Sequence, residues 1–151
     1  MKRIILYIVC LVGIGCMHIQ NKSEYDLVQN PKSLKESVLS VPDSVATKRQ
    51  LALKRKVEEV VYLKTQVIDN RLALSVDKKY FTKNNIPPRY YELIVDEFAE
   101  TNIGLDKMES SGVPVVDLSK AVKRTADFYR QYLKEYKSTG ISIEEFNAMN
   151  Q

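Results

Sequence analysis

The chain is expected to fold as an all-α protein, an irregular bundle of three main helices at about 44–76, 88–110 and 118–138 with short flanking helices, on an N-terminal tether. Three observations predict this class. Between Asp43 and Asn84 there is neither proline nor glycine. Apolar residues recur at helical spacing through three long segments. No alternating strand pattern of any length competes.

Each element has its own local reason. In "NPKSLKESVLSVP", Asn30 suits an N-cap, Pro31 suits a first turn, and Leu34 and Val38 fall four apart, which predicts a short helix at 31–39 within a tether spanning 16–42. Pro42 closes it. Asp43 or Ser44 then caps the longest helix. Its stripe runs through Leu53, Val57, Val60, Val61, Lys64, Val67, Ile68, Arg71 and Leu72. At that length the helix would measure about 50 Å. "NNIPP" breaks the chain, and Pro88 opens the second helix with Tyr91, Ile94, Val95, Phe98, Leu105 and Met108 on one side, up to a stop at Gly112. Asp117 caps the third, whose stripe is Leu118, Ala121, Val122, Thr125, Tyr129, Tyr132, Leu133 and Tyr136, and Gly140 ends it. In "ISIEEF" Ser142 and Glu145 form a capping box, and Ile141 and Phe146 hold the positions of a hydrophobic staple, so a final helix is expected at 143–149.

The first residues carry an address. Met1-Lys2-Arg3 precedes an apolar run from Ile4 to Gly15, which is shorter than the roughly 20 residues of a membrane span. A basic start, a short apolar run and small residues before a cut are the marks of a secretory signal. Gly13 and Gly15 supply the small residues, and Cys16 follows. The segment resembles a bacterial lipoprotein signal, a family that usually has leucine where this chain has Gly13. The resemblance implies removal of residues 1–15 and a diacylglyceryl group on the Cys16 thiol. An ordinary secretory signal and an uncleaved anchor are the other readings of the same stretch. In related lipoproteins an aspartate after the cysteine retains the protein at the inner membrane. Here Met17 follows, and "MHIQN" lacks the acidic cluster of surface-exported lipoproteins. The implied location is therefore the periplasmic leaflet of the outer membrane.

Composition narrows the function. The two cysteines are Cys10 and Cys16, so the mature domain folds without an internal disulfide. Without Lys2 and Arg3 the formal charge of +4 falls to about +2, a balance that does not point to nucleic acid. The sole histidine, His18, lies beside the proposed lipid, which leaves no Ser-His-Asp triad, no histidine-bearing metal site and no Glu-x-x-His pair in the domain. The five glycines are dispersed and form no phosphate loop. No catalytic residue, metal or cofactor is assigned. Asp96 and Glu100, four apart beside Glu97, are the remaining carboxylates of interest for a hydrolase, although acids so spaced usually form a solvated face.

Two features point to binding instead. Lys48, Arg49, Lys54, Arg55 and Lys56 form a basic run with no acid among them, suited to anionic lipid or an acidic partner, or else a solvated face. Tyr129, Tyr132 and Tyr136 fall at i, i+3 and i+7, as a partner-binding stripe or the edge of the core. The expectation is a non-enzymatic, lipid-anchored envelope protein that binds other envelope proteins in a hetero-oligomeric complex. In signal, size and helicity the chain resembles the small lipoprotein subunits of secretion machines, among them the TssQ-type subunit of the Bacteroidota type VI apparatus. An immunity or inhibitor lipoprotein that blocks a periplasmic enzyme is the second class, and a carboxylate hydrolase the third.

Overall fold

Serine and threonine caps begin the architecture at its first described helix. The computed structural model describes residues 23–115 and 117–150. The stretch read as a signal, Cys16, His18 and the first part of the expected tether lie outside the described residues. Ser23 caps α1 (Glu24–Val28) by accepting a hydrogen bond from the Asp26 amide at 3.2 Å. Leu27 and Val28 are buried.

Where a tether was expected, the chain instead enters the core. The helix expected at 31–39 is replaced by two 3-10 turns, Leu34–Glu36 and Val38–Ser40. Leu34, Val38, Leu39 and Val41 are all buried. Ser37 explains the break. Its fully buried hydroxyl donates to the Leu34 carbonyl at 2.7 Å and accepts from the Leu39 amide at 3.2 Å, satisfying backbone groups that a continuous helix would pair internally. Tyr90, from a later helix, locks the segment from outside. Its hydroxyl donates to the Leu27 carbonyl at 2.8 Å and receives the Val38 amide at 3.5 Å. Burial pushes that phenol up to about 12. Residues 23–42 are therefore structural, because six apolar side chains there are removed from water.

The long helix is also corrected. α2 spans Lys48–Leu63, opened by a capping box in which Thr47 and Gln50 bond each other's backbone amides at 2.9 and 3.2 Å. Past Lys64 the chain forms a hairpin, β1 (Thr65–Ile68) antiparallel to β2 (Arg71–Leu74), with Val67 opposite Leu72. The two-residue turn holds Asp69 at φ 50° and Asn70 at φ 56°. Asn and Asp tolerate this left-handed region, and paired positive φ values match the right-handed twist of a tight hairpin. Val67, Ile68 and Leu72 fit a helical stripe by spacing, but the β-branched pair prefers a strand. The fourth helix holds the hairpin in place. Asn102 accepts from the Leu72 amide at 2.8 Å and donates to the Leu72 carbonyl at 2.9 Å, as a neighbouring strand would. Replacing Asn70 with valine is expected to cost about 1–2 kcal/mol, and replacing it with glycine nothing. Urea denaturation of the two variants checks this; equal midpoints would contradict the turn.

The remaining elements follow their local signals. α3 (Lys78–Lys83) is capped by Asp77 and buries Phe81. α4 (Pro88–Ser110) starts on Pro88, and α5 (Leu118–Thr139) runs from an Asp117 cap to Gly140 in the left-handed conformation at φ 71°. α6 (Ile143–Met149) begins with the Ser142–Glu145 capping box. The protein is thus mostly helical, with one small sheet among the described residues. α2 packs on α5 and on the second 3-10 turn, while the hairpin sits between α5, which meets β1, and α4, which meets β2. Among the described residues no helix is long and apolar enough to cross a membrane.

Candidate functional site

The residues singled out as binding candidates divide between two places on α2. One face of the helix carries Arg55, Glu58 and Tyr62 toward α5, with Lys54 beside them turned to Asp43 and α6. Lys54 is 1% exposed, and its ammonium donates to Asp43 Oδ1 at 2.8 Å, the Val41 carbonyl at 3.0 Å and Glu144 Oε1 at 3.3 Å. It therefore ties the chain before α2 and the last helix to α2. Arg55 pairs with Glu58 at 2.8 Å and with Asp43, and its guanidinium lies over the rings of Tyr132 (5.3 Å) and Tyr136 (4.9 Å). Tyr129 stacks on Tyr62 with centroids 4.5 Å apart and planes 5° apart. Tyr129 and Tyr132 are fully buried, and Tyr136 is half-buried.

This overturns the reading of Tyr129 and Tyr132, with Lys54, as an exposed partner face. The tyrosine stripe is core because α5 turns it onto α2, where the Arg55 guanidinium supplies a cationic surface to the rings. Four members of the cluster were not singled out from sequence: Asp43, Glu58, Tyr62 and Glu144. The i,i+3 spacing of Arg55 and Glu58 was a local signal for one pair. The other partners come from distant segments.

The cluster holds two cations, Lys54 and Arg55, against three carboxylates, Asp43, Glu58 and Glu144. Glu58 is the charged member with least access to water. Burial pushes its carboxyl up to about 7, although Arg55 and Lys54 oppose the shift. Burial works against the Lys54 and Arg55 charges too, but their carboxylate neighbours hold both pKa values above the ordinary range. Burial, and then the Glu58 charge, raises the Tyr62 and Tyr129 phenols. Burial raises the Tyr132 phenol as well, with Arg55 opposing. Among the described residues Glu58 Oε1, Arg55 Nε and the Tyr132 hydroxyl have no hydrogen-bond partner, so the network is incompletely satisfied there.

A pH dependence follows. Glu58 ionises near 4.5 when unfolded and about 7 when folded. Its contribution to stability is complete below pH 4.5 and is lost as pH rises through 7, by up to about 3 kcal/mol. The Glu58→Gln variant is expected to lose this part of the slope between pH 5 and 7.5 in denaturant melts. An unchanged slope would exclude Glu58 as its source.

The other face of α2 borders a groove. Arg49, Ala52, Leu53 and Lys56 form one wall, Val28 and Gln29 from the end of α1 a second, and Thr82, Asn85, Ile86, Pro87 and Pro88 a third, around about 460 Å³. Val28, Leu53 and Ile86 are buried and give the groove an apolar floor. Arg49 and Lys56 are exposed, as is Lys48 beside them. Lys56 donates to the Asn84 carbonyl at 2.9 Å. Among the described residues no carboxylate lines the groove. The basic run is thus split: Lys54 and Arg55 serve the core, while Lys48, Arg49 and Lys56 remain at the surface.

Asp96 and Glu100 are exposed on α4. Among the described residues no group of histidine, cysteine and acidic side chains is placed to hold a metal ion. The fold and site define a small helical domain with one hairpin, an ion network inside and a basic groove outside. No protein-family model, curated protein or solved structure matches the chain.

Proposed function

We propose that this chain is a non-enzymatic envelope lipoprotein, held by acylated Cys16 at the periplasmic leaflet of the outer membrane. There it acts as a structural or interaction subunit of a membrane-associated complex such as a secretion machine, its helices forming an irregular bundle close to the bilayer. The observation that carries this reading is the basic-apolar start ending in Gly15-Cys16. The fold adds a distance. Ser23, which caps α1, lies seven residues after Cys16, so even a fully extended link of that length holds Ser23 within about 25 Å of the anchor. The subunit works beside the membrane rather than at the end of a long tether. With Tyr129, Tyr132, Lys54 and Arg55 engaged in the fold, the candidates for the partner surface are exposed apolar residues such as Tyr25, Val45 and Ile103, while Lys48, Arg49 and Lys56 stay at the surface as cations.

Metabolic labelling with a fatty-acid analogue tests the reading. The wild-type chain is expected to take the label and fractionate with membranes, and Cys16→Ser to lose both. Equal labelling of the two would overturn the anchoring role of Cys16.

A further inference from the structure

We propose that the groove between α1, α2 and the α3–α4 connection holds the anionic headgroup of a phospholipid in the bilayer to which the chain is anchored. The proposal rests on the anchoring reading for the position of the domain, and on the groove itself for its chemistry. Arg49 and Lys56 stand about two turns apart on α2, along a groove that has no carboxylate in its walls among the described residues. Among the described residues the Arg49 side chain makes no ion pair or hydrogen bond, and it is exposed. A groove of about 460 Å³ lies within the range of small-molecule sites. Its apolar floor of Val28, Leu53 and Ile86 suits the glycerol and first methylenes beneath a phosphate, while the polar edge at Gln29 and Asn85 suits a hydroxylated headgroup.

Position favours a lipid over a soluble anion. Val28 ends α1, a helix only about 7.5 Å long, whose first residue follows the short link to Cys16. The groove is therefore held within about 35 Å of the acyl chains. A domain confined there meets headgroups at far higher local concentration than any free phosphate. Occupation would also fix which face of the domain lies on the bilayer.

The test uses the full mature chain from residue 16 with Cys16→Ser, so that no acyl group contributes. It is mixed with vesicles of phosphatidylcholine alone or of phosphatidylcholine containing phosphatidylglycerol. Sedimentation with the anionic vesicles alone is expected. Arg49→Gln combined with Lys56→Gln should weaken it about thirtyfold, two surface cations being lost, with an unchanged melting temperature. Lys134→Gln with Lys137→Gln, exposed cations on α5 that do not line the groove, should leave it unchanged. Failure to bind anionic vesicles, or equal weakening by the control pair, would overturn the proposal. So would amide shifts in the groove with soluble glycerol phosphate or an acidic peptide but not with vesicles. The two readings fail separately. A labelled wild-type chain whose Cys16→Ser form ignores vesicles refutes the groove and keeps the anchor; an unlabelled chain with groove-dependent vesicle binding does the reverse.

Discussion

Replacing Arg55 with methionine is expected to lower the unfolding free energy by about 3–5 kcal/mol, the usual result of removing one partner from a buried ion pair. Arg55 bonds Glu58 and Asp43 at once and covers the rings of Tyr132 and Tyr136. Without it Glu58, fully buried, loses its hydrogen-bonded partner, and its other oxygen already has none. The same reasoning predicts a rescue. In Arg55→Met combined with Glu58→Met no carboxylate is left stranded, Asp43 keeps Lys54, and apolar side chains of similar length fill the space. The double variant should be more stable than the single one by at least about 1 kcal/mol. Chemical denaturation of both at pH 7 decides. A double variant as unstable as Arg55→Met would mean that the guanidinium acts through its stacking on the tyrosines.

The second large effect is in the tyrosine stripe. Tyr129→Ala and Tyr132→Ala should each cost about 3–5 kcal/mol, because each empties a fully buried aromatic site. Tyr129 loses its stack on Tyr62, and Tyr132 its contacts with Tyr129, Tyr136 and Phe146 at centroid distances of 5.6, 5.9 and 5.8 Å. Tyr136, half-buried at the edge of the same array, should lose about 1 kcal/mol or less. A domain with about 5–15 kcal/mol of total stability does not tolerate all three changes, even allowing for non-additivity among touching residues. Circular dichroism of the triple variant should show an unfolded chain. A folded triple variant with weakened partner binding would restore these tyrosines as an interface.

Some of the fold was legible locally. The starts of α4, α5 and α6 were readable because Pro88, Asp117 and Ser142 act on backbone groups within three residues of themselves. The observed bonds from the Lys120 amide to Asp117 (3.0 Å) and from the Glu145 amide to Ser142 (3.2 Å) are of this kind. Gly140 was readable as a stop because the left-handed conformation at a helix end favours a residue without a side chain. Of the candidate site, the basic character of α2 was visible in Lys48, Arg49 and Lys56, which stayed at the surface.

By itself, then, the sequence determined the mostly helical class, the ends of the later helices and the charge of α2, since each depends on neighbours within about one turn. Only the tertiary structure decided the rest. Val67 and Ile68 became a strand because Asp69 and Asn70 turn the chain and Asn102, thirty residues on, pairs the backbone of Leu72. Residues 23–42 became core because Tyr90 reaches back to Leu27 and Val38. Lys54 left the surface because Asp43, 11 residues back, folds over it and Glu144, 90 residues on, reaches it when α6 docks, while Arg55 and the tyrosines left it because α5 packs on α2. A charge is buried where its partners converge, and that convergence belongs to packing between segments, not to the spacing within one.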